Sequence, residues 1–218
     1  ALRLGLRLIR GLPQSAAVAI ETARGERVFQ SLDDFNRRVR LNRGQLTKLS
    51  EADAFRSLGH NRRRALWHAL AQSATDGGPR LFDMSAIEDE PPPDLPEMDL
   101  QAEVYADYHS TSLSLRPHPL SFHRRALREM GITTAAELPK IPNARPVTVA
   151  GLVLLRQRPS TAKGITFVTL EDETGVVNLV VHQRTWERFR RITRRSPAWI
   201  ARGHVQSKDS VIHVVVNH

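Results

Sequence analysis

Between Arg145 and Val216 the chain is a series of short apolar runs, each rich in β-branched residues and each cut by Gly, Pro or acidic residues. The first is Arg145-Pro-Val-Thr-Val-Ala-Gly-Leu-Val-Leu-Leu-Arg156. The next spans Lys163-Gly-Ile-Thr-Phe-Val-Thr-Leu-Glu-Asp-Glu-Thr-Gly175, and Val176-Val-Asn-Leu-Val-Val181 follows it. Ala198 to Val205 and Val211 to Val216 close the series. Runs of this composition between turn residues predict strands. One helical patch, Thr185 to Thr193, separates the third from the fourth. Three strands, a helix and two strands in about seventy residues is the order of an OB-fold barrel.

The first 75 residues follow a helical period instead. Leu2, Leu4, Leu6, Leu8 and Ile9 alternate with Arg3, Arg7 and Arg10, and Gly11 ends that stretch. Pro13 sits well in the first turn of the next helix. Ile9-Arg-Gly-Leu12, followed by Gln14 and Ser15 opening a helix, is the helix-hairpin-helix pattern. A tight Gly turn there exposes backbone N–H groups beside a helix N-terminus, which can hold a phosphate without reading sequence. The candidate contacts are Arg10, Gly11, Leu12, Gln14 and Ser15. Ser31 is a candidate cap for a helix that opens with Asp33, Asp34 and Phe35. Leu46, Leu49, Ala52 and Phe55 share one face. Leu49 to Phe55 has the form of a second hairpin, with Asp53 where Gly is expected; an acid there repels phosphate and marks a structural turn. Asn61 to Gln72 predicts another helix with Leu66, Trp67 and Leu70 as core. Arg62, Arg63 and Arg64 beside it form either a solvated face or a phosphate stripe.

From 76 to 98 the composition becomes polar, acidic and Pro-rich, as in a linker. Its one apolar island, Leu81-Phe82 with Met84, is either a docking peptide or packs on neighbouring helices. Residues 99–145 read as a helical connector. Leu100 to Leu115 is helical with Val104, Tyr108 and Leu113, and Ser121 caps a helix from Phe122 to Met130 that Gly131 stops. His118 and His123 have no third ligand at metal spacing and read as structural. The expected architecture is α+β and multidomain: a helical helix-hairpin-helix domain at 1–75, the linker at 76–98, the connector at 99–145 and a five-stranded OB-fold β-barrel at 146–218.

Charge changes this picture more than bulk composition does. The net charge of +9 is uneven. Residues 1–75 hold 14 basic and 6 acidic side chains, for +8. Residues 76–145 hold 7 and 12, for −5, and residues 146–218 hold 11 and 5, for +6. Two basic blocks around an acidic middle fit a polyanion partner, of which nucleic acid is the commonest. Cysteine is absent, which excludes disulfides and thiolate metal sites and agrees with a cytoplasmic location. No run approaches the length of a membrane span. A start at Ala1 in amphipathic sequence suggests a piece of something longer, and Val211 to Val216 reads as the barrel's last strand.

In the barrel, Arg156, Arg158 and Lys163 are candidate phosphate contacts on the first hairpin. Phe167 is either a stacking platform or core, and Arg202 with His204 are candidates to line a groove. Trp186 and Phe189 suit a plug at the barrel end. Arg184, Arg188, Arg190, Arg191, Arg194 and Arg195 stand ready for phosphate or an acidic partner, with Arg188 and Arg191 the candidates for partner docking beside Leu81 and Phe82. Glu171-Asp-Glu173 precedes Thr174-Gly175 and reads as turn chemistry. No P-loop, matched nucleophile and base, or aspartate pair for two-metal chemistry appears. No catalytic or metal residue is assigned.

Arg156-Gln-Arg-Pro-Ser-Thr-Ala-Lys-Gly164 and Phe167-Val-Thr-Leu-Glu-Asp-Glu-Thr-Gly175 closely resemble the OB domain of bacterial C-family DNA polymerases, the DNA polymerase III alpha type. The wording looks most like the error-prone, ImuC-type branch. Arg3-Leu-Gly-Leu-Arg-Leu-Ile-Arg-Gly-Leu12 resembles that family's helix-hairpin-helix segment, and Glu51 to Gly59 its second hairpin. Asp107-Tyr108 with Leu113-Ser-Leu-Arg-Pro-His-Pro-Leu120 resembles its connector. The resemblance implies that the catalytic palm, with its Mg2+, lies outside this chain, so no cofactor and no polymerase activity are expected here. It further implies a non-catalytic C-terminal tail of a translesion DNA polymerase, acting in DNA repair and mutagenesis, that holds single-stranded template and primer-template duplex. The alternative is a platform for mutagenesis-cassette partner proteins (ImuA/ImuB type) with little DNA affinity. Gly78-Pro-Arg-Leu-Phe82 keeps the Leu-Phe of a clamp-binding peptide but lacks its Gln, which weighs against direct sliding-clamp binding. A tRNA anticodon-binding module shares the barrel type but has no place for the helical half.

Overall fold

The computed structural model describes residues 4–72, 95–162, 164–208 and 211–218. Lys163, Leu81, Phe82 and the linker composition therefore lie outside the described residues. The chain forms two compact units, Ala1–Arg116 and Pro117–His218.

The first unit is helical. A 3-10 turn at Leu6–Leu8 precedes α1 (Gln14–Glu26), α2 (Leu32–Val39), α3 (Arg43–Glu51), α4 (Arg62–Gln72) and α5 (Leu100–Thr111). Side chains cap four of these helices. Ser31 Oγ accepts from the Asp34 N–H, Asn42 and Gln45 close a capping box, Asn61 accepts from the Arg64 N–H and Asp99 from the Ala102 N–H. The core gathers Ile20, Leu32, Phe35, Leu46, Leu49 and Phe55. Phe35 meets Phe29 and Phe55 edge-on, each at 5.0 Å. Asp34 is buried yet ionic: the Gln30 N–H holds its pKa below the ordinary carboxylate value, with Arg38, Arg27 and Arg37 adding to the effect against the cost of burial.

Helix α4 corrects the expected core. It buries Arg62, Ala65 and Ala69, while Trp67 and Leu70 stay exposed. Positions 62, 65 and 69 recur at helical spacing, and small residues let α4 lie close to α3. Arg62 is therefore neither on a solvated face nor in a phosphate stripe. Its Nε donates to Glu103 at 3.0 Å, one terminal nitrogen donates to the Glu51 carbonyl at 2.7 Å, and the other pairs with Asp107. Arg116 closes the cluster on Asp107 at 2.6 Å and on Asp53 and Glu103 at 3.1 Å. Burial opposes the Arg116 charge, but hydrogen bonding to Asp107 and the nearby acids raise its pKa overall.

This cluster also explains why residues 99–145 are not one connector. Asp107 and Glu103 tie α5 to the helical unit, so the division falls at Arg116 and Pro117, well after the acidic stretch. Residues 117–145 belong with the barrel. They form a 3-10 turn at Pro119–His123, capped by His118, then α6 (Arg124–Glu129) and a 3-10 helix at Ala135–Lys140. Ser121 is thus inside the turn and not the cap. Arg124 grips Glu173 with two nitrogens, which lifts its own pKa, and Asp172 Oδ1 accepts from the N–H groups of Thr174 and Gly175. The 171–173 acids are turn and tether chemistry, as the sequence indicates.

The barrel has β1 (Pro146–Gln157), β2 (Thr166–Asp172), β3 (Gly175–Val181), α7 (Gln183–Arg188), α8 (Arg190–Arg195), β4 (Ala198–Lys208) and β5 (Val211–Val216). It closes in the order β1-β2-β3-β5-β4, with β3 and β5 parallel and the other pairs antiparallel. One long strand, β1, serves both β4 and β2. Gly151 sits at that transfer, where a Cβ would lie 2.7 Å from Leu170 Cβ and 2.8 Å from the Glu171 carbonyl oxygen. Val149, Val168, Leu170, Leu179, Val205 and Val214 fill the interior. Trp186 enters this core beside Trp199, at 6.3 Å, and plugs the barrel end. Phe189 is half-buried, edge-on to His218 at 4.8 Å.

Candidate nucleic-acid interface

The hairpin turn is built by Gly11, whose φ of 76° is a left-handed conformation that glycine adopts without penalty. The Leu12 N–H returns to the Ile9 carbonyl at 3.2 Å, and Pro13 leads into α1 in extended conformation. No side chain caps α1, in contrast to α2, α3, α4 and α5. Gln14 and Ser15, the first residues of α1, are exposed. An open N-terminus of a thirteen-residue helix presents backbone N–H groups and the positive end of the helix dipole. Leu12 is half-buried and packs against the core, so it anchors the turn. Arg10 is exposed; one of its terminal nitrogens donates to Ser112 Oγ at 2.7 Å, and its N–H donates to the Ser110 carbonyl at 2.8 Å. It therefore ties the turn to the end of α5. In the second hairpin Asp53 takes the left-handed turn position, φ 57°, and its carboxylate is bound by Arg56 and Arg116. Its charge serves the structure of the turn.

On the barrel, strand alternation sends Val168 and Leu170 inward and Phe167 outward, 37 % exposed. Phe167 is not core. Its cross-strand neighbours are Gln157 on β1 and Val180 on β3. Next along the same face come Leu155, Thr169 and Asn178, the last two joined by a 3.2 Å hydrogen bond. The register slips between Val153 and Leu155, and both Leu154 and Leu155 are exposed there. A bulge of this kind re-aims side chains. Two adjacent leucines in an alternating strand were the sequence signal for it. Arg158 is exposed in the loop just beyond Gln157. The result is a face of mixed character around one exposed aromatic ring, with Leu155 and Val180 beside it, polar Gln157, Thr169 and Asn178 among them, and Arg158 at its margin.

The other proposed groups fall elsewhere. Arg156 turns from this face: its guanidinium donates to the Thr193 carbonyl at 2.9 Å and the Ser196 carbonyl at 2.5 Å, and lies 5.5 Å over the Trp199 ring. Burial pulls its pKa down from the ordinary arginine value. It caps the end of α8 and pins the helical plug. Arg202 and His204 sit on β4, opposite Thr148 and Pro146 at the far half of β1, and so do not share a groove with Phe167. Arg184, Arg188, Arg190, Arg191, Arg194 and Arg195 are all exposed on α7 and α8.

Comparison with known proteins bears on what this arrangement serves. Residues 1–65 match the helix-hairpin-helix motif, and residues 147–218 match the OB-fold nucleic acid binding domain. An error-prone DNA polymerase from Rhodopirellula baltica is 46 % identical over 217 residues, covering 99 % of this chain and 19 % of that protein. Along almost its whole length the chain matches one part of the error-prone DNA polymerases. A second member, from Anaeromyxobacter dehalogenans, is 46 % identical over 216 residues with the same coverage. The chain spans about a fifth of the length of these curated relatives. Among solved structures, asparaginyl-tRNA synthetase from Pyrococcus horikoshii matches 39 % of this chain and 21 % of its own, at 22 % identity and a TM-score of 0.34. The identity to error-prone polymerases runs through both units, so the anticodon-module alternative falls. Among the described residues no group of His, Cys, Asp or Glu could hold a metal, and no helix is long and apolar enough to cross a membrane.

Proposed function

We propose that this chain is the non-catalytic, nucleic-acid-holding part of an error-prone DNA polymerase. The observation that carries the reading is the outward Phe167 on a barrel of OB topology, with Leu155 and Val180 beside it and Arg158 at the margin of the same face. Bases of a single strand stack on such a ring, and every base has a face to offer, so contact is indifferent to sequence. The uncapped N-terminus of α1 behind Gly11 suits the backbone of primer-template duplex, again without base readout. Held at both places, DNA would be positioned for a palm whose aspartates and Mg2+ are supplied outside this chain. We further propose translesion synthesis in a mutagenesis complex, in the cytoplasm, as the setting; the relatives' description as error-prone DNA polymerases is what favours it. Docking of cassette proteins through Leu81, Phe82, Arg188 or Arg191 is the second role proposed earlier, and no observation on the described residues favours it over DNA.

The test is fluorescence anisotropy of a labelled single-stranded oligonucleotide. Phe167→Ala is expected to weaken binding by about 1–3 kcal/mol, equally on mixed sequences. With the ring 37 % exposed and turned from the barrel interior, the variant should keep its fold at a modest cost in stability, and a cooperative thermal transition well above the assay temperature verifies that it is folded. Wild-type affinity in Phe167→Ala would remove the sheet face from the site.

A further inference from the structure

The arginines of α7 and α8 are not scattered. Trp186 and Thr193, seven residues apart, are the buried positions of the two helices, at 8 % and 4 % exposure. Within α7, Arg184 and Arg188 stand two residues either side of Trp186, and within α8, Arg191 and Arg195 stand two residues either side of Thr193, which at 3.6 residues per turn puts each pair opposite its own helix's buried residue. All four are exposed, and none has an ion-pair partner among the described residues. Glu187 is the one acid between residues 182 and 196. Like charges at i and i+4 destabilise a helix, and an ordinary solvated face mixes both signs. The remaining arginines of the barrel unit that the fold uses are engaged: Arg124 on Glu173, Arg156 on the end of α8. Arg188 lies 5.2 Å over the Phe189 ring, and among the described residues the four otherwise accept like-charge repulsion with no acid to offset it, a surface suited to an external anion.

Its place decides which anion. Helix α7 starts directly after β3, whose Val181 pairs with Thr166, the neighbour of Phe167. The loop before β2 abuts the same point, since a Cβ on Gly164 would run into the Gln183 side chain. The stripe thus begins at the rim where the Phe167 face ends.

We infer that the arginine stripe of α7 and α8 is a phosphate track, carrying single-stranded nucleic acid onward from the Phe167 face across the plugged end of the barrel. The inference rests on the proposed nucleic-acid function and lengthens its site. A short strand fills the sheet face; a long one also engages the stripe.

The experiment compares the whole chain with the triple variant Arg184→Gln, Arg191→Gln, Arg195→Gln. The ligands are labelled oligothymidylates of about 8 and about 25 nucleotides, lengths that bracket the span of one OB-fold. With about 0.7 counterions released per phosphate neutralised, the variant's log K against log salt slope for the long oligomer should flatten by about 2. Its affinity there should fall about ten- to a hundredfold at 0.1 M salt, with the short oligomer unchanged. An unchanged thermal midpoint confirms that the variant is folded. Wild-type affinity and slope on the long oligomer would overturn the inference and leave the Phe167 site standing. Equal losses on both lengths would overturn it too, because the short strand would then already lie on the stripe. If instead wild type and not the variant bound oligoglutamate, with DNA binding equal in both, the stripe would serve an acidic polypeptide and the inference would fail. Absence of binding to either oligomer by wild type would bring down the proposed function along with it.

Discussion

Replacing Arg62 with alanine is expected to destabilise the helical unit by about 3–5 kcal/mol, the loss seen when one partner of a buried ion pair is removed. Arg62 is 5 % exposed and supplies bonds to Glu103, Asp107 and the Glu51 carbonyl. Without it Asp107 and Glu103 remain in low dielectric with Arg116 as their shared cation and the Ser114 hydroxyl on Asp107. The measurement is urea denaturation of wild type and Arg62→Ala, with hydrogen exchange locating the loss in α4 and α5. Arg62→Lys should recover part of it, since an ammonium keeps the charge but not the fork that reaches three acceptors. Arg64→Ala, on the exposed side of the same run, should stay within about 0.5 kcal/mol of wild type. A loss below about 1 kcal/mol in Arg62→Ala would show that the cluster does not hold α5 in place.

The second large effect belongs to the barrel. Leu170 is wholly buried in the interior cluster, next to the point where β1 passes from β4 to β2. Leu170→Ala is expected to cost about 2–5 kcal/mol, combining lost apolar burial with a cavity that a closed barrel relaxes into poorly. The thermal midpoint should fall accordingly, and exchange should accelerate at β2 and β3 amides. A cost under about 1 kcal/mol would mean that the interior repacks freely, and the rigid sheet face behind Phe167 would lose its basis.

Much of the barrel was legible because its signal is local. The apolar run from 145 to 156 is β1 at Pro146–Gln157, and Val176 to Val181 is β3 less its leading Gly175. Turn residues cut the runs where the strands end. The Gly11 turn was legible for the same reason: a left-handed residue, then Pro13, then a helix. Long-range charge pairing was not legible. Arg62 and Asp107 are 45 positions apart, and nothing in Arg62-Arg-Arg64 marks its first member as buried. The same pairing moved the boundary between units from the acidic stretch to Arg116. Arg156 looked like a phosphate contact because charge in a hairpin usually faces solvent. Its partners are carbonyls at the end of a helix 37 and 40 residues later, which no spacing announces. Helix α4 misled in the other direction. Its large residues, Trp67 and Leu70, drew attention from the small ones, Ala65 and Ala69, that touch the core.

The outward turn of Phe167 and the exposed arginines of α7 and α8 carry the proposed role, a surface that would hold nucleic acid by stacking and by phosphate charge without reading sequence. The most direct test is the salt dependence of wild-type binding to single-stranded and primer-template DNA, followed by anisotropy. The account predicts micromolar or tighter binding with log K falling steeply against log salt, by about 0.7 per phosphate contacted on single strands and about 0.9 on duplex. Binding that is absent near physiological salt, or that is flat with salt, would contradict it.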